Sequence, residues 1–142
     1  MSKSPSVVMI GLGYIGLPTA ALIAQNKIAV HGVDINPSVV DTINLGKIHI
    51  VEPELDIAVA EAVKNGYLKA ATTPVEANAY LIVVPTPFKA KNEPDISFVE
   101  AATRAVLPLL KVNDLYIIES TSPIGTTEKM MQLIYAERPE LQ

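Results

Sequence analysis

The sequence of 142 residues contains no cysteine. This absence excludes disulfide bonds, thiolate metal sites and a cysteine nucleophile within the chain. A cluster of Lys or Arg is also missing and the formal net charge is −4, which disfavours a nucleic-acid partner because the phosphate backbone requires basic contacts. No apolar run approaches the roughly 20 residues that span a bilayer, so we expect no membrane partner.

The amino terminus lacks the pattern of a secretory signal. Residues 1–6 carry a single Lys and run directly into an apolar segment, so we expect a cytoplasmic protein. Hydrophobic residues make up 49% of the sequence and charged residues 18%, which is the composition of a folded domain rather than a disordered one. The length suits one domain with its own core.

Apolar, β-branched segments alternate with helical patterns along the chain. The predicted strands are residues 6–10, 29–34, 68–72, 80–84 and 115–119. The predicted helices are residues 14–26, 37–45, 53–65, 96–110 and 126–137. The strand segments are nearly continuous apolar runs, which is typical of a parallel sheet covered on both faces. Strand–helix alternation with short connections therefore predicts a doubly wound α/β domain.

Several predicted helix ends carry capping signals. Asn36 precedes Pro37, which is favourable as a first helical residue, and Gly46 follows the end of the same helix. The other signals are Pro53 at the start of the third helix, Asp95 as a cap and Pro108 as a breaker in the fourth, and Thr126 or Thr127 as the cap of the fifth.

Three glycines lie between the first predicted strand and the first predicted helix, in the motif G-L-G-Y-I-G of residues 11–16. In this context Gly11 permits a tight turn, Gly13 lets the backbone approach a pyrophosphate, and Gly16 lets helix and strand pack closely. Backbone N–H groups at the helix N-terminus, with the helix dipole, then bind the negative charge. By itself the motif also fits a simple tight turn.

An acidic residue supports the dinucleotide interpretation. Asp34 ends the second predicted strand, 18 residues after Gly16 (34 − 16), where a carboxylate accepts hydrogen bonds from the adenosine ribose. The same carboxylate would repel a ribose 2′-phosphate, and no Arg follows to bind one. The sequence therefore predicts a Rossmann-like domain that binds NAD in preference to NADP; the alternative role of Asp34 is a turn or helix cap.

Two further loops follow predicted strands at the same sheet edge, where ligands of such folds bind. V-P-T-P-F of residues 84–88 holds Thr86 between two prolines, and either a rigid contact site or a stiff turn explains this pattern. E-S-T-S-P-I-G-T-T of residues 119–127 is rich in hydroxyl side chains. One of Thr126 and Thr127 is expected to cap the last helix, and the other hydroxyls are expected to be available to the nicotinamide half of the cofactor.

Four features occur along the sequence in this order: G-L-G-Y-I-G-L-P, Asp34, V-P-T-P and E-S-T-S-P-I-G-T-T. Together they resemble the nucleotide-sugar 6-dehydrogenases of the UDP-glucose/GDP-mannose dehydrogenase family. Residues 32–55 and 72–89 resemble the branch of that family that acts on UDP-N-acetyl-D-mannosamine. The resemblance implies an enzyme that oxidises the sugar C6 alcohol to a carboxylate in two NAD-dependent steps, for bacterial surface polysaccharides.

The resemblance also implies parts that this sequence does not contain. In the family a cysteine, a lysine and an asparagine assist the chemistry, and they lie beyond the first domain together with most contacts to the UDP-sugar substrate. We expect residues 1–142 to be the NAD-binding domain alone, without the central helix and the C-terminal UDP-sugar-binding domain. Such a domain is expected to be inactive by itself, because nothing holds the substrate against the nicotinamide. The complete enzyme is expected to be a homo-oligomer.

The resemblance also implies a sixth strand in the sheet, which residues 1–142 are expected not to include. The fifth predicted strand, residues 115–119, is then expected to be an unpaired sheet edge, and pairing of two chains through it would be an artefact of truncation.

By the same resemblance, the cofactor-binding residues are Gly11, Gly13, Tyr14, Ile15, Gly16, Asp34, Thr86, Thr121 and Thr127. The Tyr14 and Ile15 amides are assigned to the pyrophosphate, Asp34 to the ribose and the three threonines to the nicotinamide side. Thr121 is given the further role of positioning the hydrolytic water in the complete enzyme. No catalytic or metal-ligating residue is assigned, and the two histidines, His31 and His49, are given no role.

Two other functions stay open at this point. Another dehydrogenase with a similar first domain, of the 3-hydroxyacid or 6-phosphogluconate type, would share the glycine motif, but V-P-T-P followed by E-S-T-S-P-I-G argues against it. A stand-alone NAD-sensing regulatory module would need a partner-binding or DNA-binding segment, and none is visible in the sequence.

Overall fold

Residues 5–142, the part of the chain that the computed structural model describes, form five strands and five α-helices. In chain order these are β1 (Ser6–Ile10), α1 (Gly16–Gln25), β2 (Ala29–Val33), α2 (Pro37–Asn44), α3 (Leu55–Lys64), β3 (Leu68–Ala71), β4 (Ala79–Ile82), α4 (Ser97–Val106), β5 (Leu115–Ile118) and α5 (Thr126–Glu137). Short 3₁₀ turns lie at Ala90–Asn92, Leu107–Leu109 and Pro139–Leu141.

The five strands form one sheet in the order β3-β2-β1-β4-β5, and every neighbouring pair is parallel. β1 lies at the centre, where Met9 is in register with Gly32 on β2 and with Leu81 on β4. This order confirms the predicted doubly wound, Rossmann-like fold. Within the described residues β5 pairs only with β4, which confirms that it is an edge strand.

Both faces of the sheet are covered by helices, as the apolar strands predict. Met9 and Leu81 point to the face covered by α1, α2 and α3. Val8, Tyr80 and Ile82 alternate with them and point to the face covered by α4 and α5. β1 and β4 are therefore buried on both faces, as expected for central strands of a parallel sheet.

Four of the five strands end one or two residues before the predicted position. β2, β3 and β5 each end one residue early, β4 occupies 79–82 rather than 80–84, and α1 occupies 16–25 rather than 14–26. The strand limits follow the pairing of β1 with its two neighbours. Ile10, the last residue of β1, pairs with Val33 at the end of β2 and with Ile82 at the end of β4. The carboxyl ends of the three central strands therefore stop at one level.

Asn36, Pro37 and Pro108 act at the ends of α2 and α4 as the sequence predicts. The Asn36 side chain accepts the Ser38 N–H at 3.0 Å, with Pro37 as the first residue of α2. Asp95 accepts the Ser97 N–H at 2.9 Å, and hydrogen bonds from the Ser97 side chain and backbone lower the pKa of the Asp95 carboxyl. The cap position of α4 is nevertheless Ile96 and not Asp95 as predicted, because the helix begins at Ser97. Pro108 ends α4 as predicted, because the helix tightens into the 3₁₀ turn Leu107–Leu109.

The start predicted for α3 and the cap predicted for α5 are wrong. α3 begins at Leu55 and not at Pro53, because Glu54 has a left-handed backbone (φ 64°) that cannot be part of the helix. Neither Thr126 nor Thr127 caps α5: Gly125 occupies the cap position with φ 92°, a conformation that favours glycine. The Thr126 hydroxyl instead donates to the Pro123 carbonyl at 2.8 Å.

Candidate cofactor site

The glycine loop connects β1 to α1 at the carboxyl edge of the sheet centre. Gly11 has φ 106°, and a Cβ there would lie 2.3 Å from the Val83 carbonyl oxygen. A Cβ on Gly16 would lie 1.9 Å from the Gly11 carbonyl oxygen. Gly13 differs, since a Cβ there would meet nothing within 4 Å. The loop is therefore tightly packed at both ends, against Val83 at Gly11 and against itself at Gly16, and open in the middle.

Backbone N–H groups are available at the open part of this loop. The N–H groups of Gly13, Tyr14 and Ile15 donate to no acceptor within residues 5–142. They precede the first turn of α1, whose Leu17 N–H donates to the Gly13 carbonyl at 3.1 Å. Unpaired donors at a helix N-terminus, together with the helix dipole, are suited to a phosphate group.

Leu12 anchors the loop to the sheet. Its side chain is completely buried and occupies the space above Gly32 of β2, where a Cβ would lie 2.8 Å from the nearest Leu12 methyl group. Gly32 leaves the space that Leu12 fills, because a side chain there would force the Leu12 methyl groups to move.

Asp34 follows β2 directly and holds the glycine loop through its carboxylate. One oxygen accepts the Leu12 N–H at 3.2 Å, and the other accepts the Asn36 N–H at 3.0 Å. The carboxylate is thus oriented by two backbone donors and remains half-buried. A carboxylate fixed beside a glycine loop can accept hydrogen bonds from neighbouring hydroxyl groups.

An apolar cavity adjoins Asp34. Gly11 and Asp34 line one end of it, and Ile35, Pro74 and Phe98 contribute apolar surface. Its walls come from the end of β2, the segment after β3 and one side of α4. An apolar slot next to an oriented carboxylate suits a flat base attached to a sugar.

The loops after β4 and β5 are joined by hydrogen bonds. The Thr86 hydroxyl donates to the Thr121 carbonyl at 2.5 Å, and the Ser120 hydroxyl donates to the Val84 carbonyl at 2.8 Å. The Ser122 hydroxyl donates to the Ser120 carbonyl at 3.1 Å. The hydrogens of these hydroxyls are therefore already used within the loops, and their oxygens remain able to accept a hydrogen bond from a ligand. The Thr121 side chain remains exposed.

Thr127 lies apart from these residues. It is exposed in the first turn of α5 and lines a different cavity, together with Tyr116, Met131 and Ile134 on the flank of β5. The structure therefore brings together the glycine loop and Asp34, joins Thr86 to Thr121, and places Thr127 on another surface.

His49 is a contact of the glycine loop that the sequence did not reveal. Its Nε2 lies 2.6 Å from the Leu12 carbonyl oxygen, although 37 residues separate the two. No local motif marks this residue, since only the fold brings the loop before α3 to the end of β1.

The described part of the chain gives two further findings. Within residues 5–142 no group of three or more His, Asp and Glu side chains is placed to hold a metal ion. No helix in the same range has the length and apolar character needed to cross a membrane.

A central parallel sheet, a glycine loop with free N–H groups and an acid after the second strand define the class of Rossmann-type dinucleotide-binding domains. The sequence model described as the UDP-glucose/GDP-mannose dehydrogenase family, NAD binding domain, matches residues 5–142. This chain therefore belongs to the UDP-glucose/GDP-mannose dehydrogenase family, as its NAD-binding domain, and its cofactor is NAD.

Individual relatives point to one branch of the family. The chain is 57% identical over 136 residues to UDP-N-acetyl-D-mannosamine dehydrogenase of Escherichia coli K12, covering 96% of this chain and 32% of the relative. The enzyme of the same name from Campylobacter jejuni is 56% identical over 142 residues, covering 99% and 35%. Among solved structures, the UDP-N-acetyl-mannosamine dehydrogenase Cap5O from S. aureus superposes with a TM-score of 0.90 at 36% identity, covering 94% and 32%. The chain thus spans about a third of the length of the relatives it matches.

Proposed function

We propose that this chain is the NAD-holding part of an enzyme that oxidises UDP-N-acetyl-D-mannosamine to UDP-N-acetyl-D-mannosaminuronate. The oxidation takes place at C6 in two steps, each with one NAD, and the product serves bacterial surface polysaccharides. High identity to two bacterial enzymes named for this substrate supports the proposal. The complete enzyme is proposed to be a homo-oligomer without nucleic-acid or membrane partners.

The observation that carries the proposal is the Asp34 carboxylate held against the glycine loop. In this assignment the free Gly13, Tyr14 and Ile15 N–H groups bind the pyrophosphate, and the Asp34 carboxylate accepts the hydroxyls of the adenosine ribose. Adenine occupies the apolar cavity beside Ile35 and Phe98.

The nicotinamide side of the site is assigned to the joined loops after β4 and β5. Thr86 fixes the Thr121 backbone and Thr121 presents an exposed side chain there. Thr127 is assigned to the same side, although it lines the cavity on the flank of β5. Bound NAD accepts hydride, and this chain supplies the orientation of the cofactor. Without cysteine, residues 1–142 cannot form the covalent intermediate of the family, so we propose that they bind NAD but do not turn over substrate.

Calorimetric titration with NAD and NADP tests this assignment. We expect wild type to bind NAD at least roughly tenfold more tightly than NADP, because the Asp34 carboxylate accepts ribose hydroxyls but repels a 2′-phosphate. Asp34→Ala should weaken NAD binding by roughly tenfold or more and should reduce the preference over NADP.

Asp41→Ala is the matched control. Asp41 is an exposed acid on the neighbouring helix α2, so its loss changes the net charge equally without removing a proposed contact. Equal affinity of wild type for NAD and NADP, or equal effects of the two substitutions, would contradict the assignment of Asp34.

A further inference from the structure

His49 is held against the glycine loop by the core. It lies in the segment between α2 and α3 and is itself exposed. Its neighbour Ile50, and Leu55 at the start of α3, are buried in the same hydrophobic cluster as Leu12. This anchoring places the His49 Nε2 at 2.6 Å from the Leu12 carbonyl oxygen. Because a carbonyl oxygen only accepts, Nε2 carries the proton in this contact.

Three successive peptide units of the glycine loop are each held by one hydrogen bond. The Gly11–Leu12 unit donates its N–H to Asp34. The Leu12–Gly13 unit accepts from His49 through its carbonyl. The Gly13–Tyr14 unit accepts the Leu17 N–H through its carbonyl at 3.1 Å. Since a trans peptide unit is planar, with C=O and N–H on opposite sides, holding a carbonyl also fixes the direction of the N–H opposite it.

The Leu12–Gly13 unit depends on His49. Its N–H, that of Gly13, has no acceptor within residues 5–142, so the carbonyl contact is the one hydrogen bond that orients this plane. Gly13 has no Cβ and open space around it, so rotation of the plane meets little steric resistance. The buried Leu12 side chain fixes the position of the loop but not the orientation of this peptide unit.

We propose that His49 is a positioning residue for dinucleotide binding: by donating to the Leu12 carbonyl, it directs the Gly13 N–H into the proposed pyrophosphate site before the ligand arrives. The ligand part of this inference rests on the proposed function. Preorganised donors bind an anion more tightly because their ordering does not have to be offset on binding.

His49→Leu and His49→Gln test the proposal in two measurements. Leu removes the donor and keeps the bulk, whereas the Gln side-chain amide restores a donor. In amide NMR spectra without nucleotide, His49→Leu should shift or broaden the Gly13 and Tyr14 resonances, and His49→Gln should restore them. In calorimetry, His49→Leu should weaken NAD binding roughly five- to tenfold, and His49→Gln should bind within about twofold of wild type.

Asn44→Leu is the control for a purely structural effect. The Asn44 side chain makes two hydrogen bonds to the Ala70 backbone, both at 2.9 Å, so its loss should lower the Tm without changing NAD affinity. The proposal is wrong if His49→Leu binds NAD as wild type does, or if His49→Gln is as weak as His49→Leu. Absence of NAD binding by wild type would refute the proposed function instead, and the spectra without nucleotide would still decide whether His49 orients the Gly13 amide.

Discussion

Gly13 and Gly16 lie in the same loop, yet they are required for different reasons. Gly16 must lack a Cβ because the Gly11 carbonyl already occupies that space. Gly13 has no protein atom near its missing Cβ, so the fold itself does not explain why the residue is small. A ligand that approaches the backbone at this point does explain it.

Alanine substitution at the two glycines should distinguish a glycine needed for stability from a glycine needed for NAD binding. Gly16→Ala should lower the free energy of unfolding by about 2 kcal/mol or more, because backbone must move to admit the methyl group. Gly13→Ala should leave the Tm nearly unchanged and weaken NAD binding by roughly tenfold or more, since its methyl group would lie in the proposed path of the pyrophosphate. Thermal unfolding and calorimetry on both variants check this, and unchanged NAD affinity in Gly13→Ala would place the ligand elsewhere.

At the scale of elements, the sequence predicts features that depend on neighbouring residues. It misses contacts between residues that are distant in the sequence and that the fold brings together. The glycine loop, Asp34 and the Asn36 cap follow from neighbouring residues in a strand–turn–helix pattern, and the structure has them where predicted. The Thr86–Thr121 and His49–Leu12 contacts join segments 35 and 37 residues apart. No local pattern encodes them, because they depend on which strand ends become neighbours.

The wrong start predicted for α3 has a related cause. Proline at residue 53 suggested a first helical turn, but the left-handed Glu54 interrupts it. A non-glycine residue in that conformation goes against the local backbone preference, so the sequence does not signal it.

The start of α2 offers a test of an element beside the site. Asn36 caps α2 through its side chain and donates its own N–H to Asp34. Asn36→Ala should lower the free energy of unfolding by about 1 kcal/mol, which corresponds to a fall in Tm of about 3 °C for a domain of this size. Asn36→Ser should recover most of the loss, because its hydroxyl also caps. NAD affinity should change little in both variants, since the backbone donor to Asp34 remains.

At the scale of the whole molecule, the strand order brings segments that are distant in the sequence together at the candidate cofactor site. β1 lies between β2 and β4, so the loops that follow these three strands meet at one edge. The same order leaves β5 with a neighbour on one side only within the described residues. Unpaired N–H and C=O groups along an edge strand favour pairing with another chain.

Self-association through β5 is therefore the expected behaviour of the 142-residue chain at high concentration. Leu115 opens β5 and is 54% exposed, so Leu115→Lys should suppress association, because a charged side chain on an edge strand opposes pairing. Leu22→Lys is the matched control, since Leu22 is 60% exposed on α1 and away from the sheet edge. Sedimentation velocity over a concentration series should show a dimer for wild type and Leu22→Lys and a monomer for Leu115→Lys. Equal association of all three would mean that the edge strand is not the contact, and that any dimer forms through the helical surface instead.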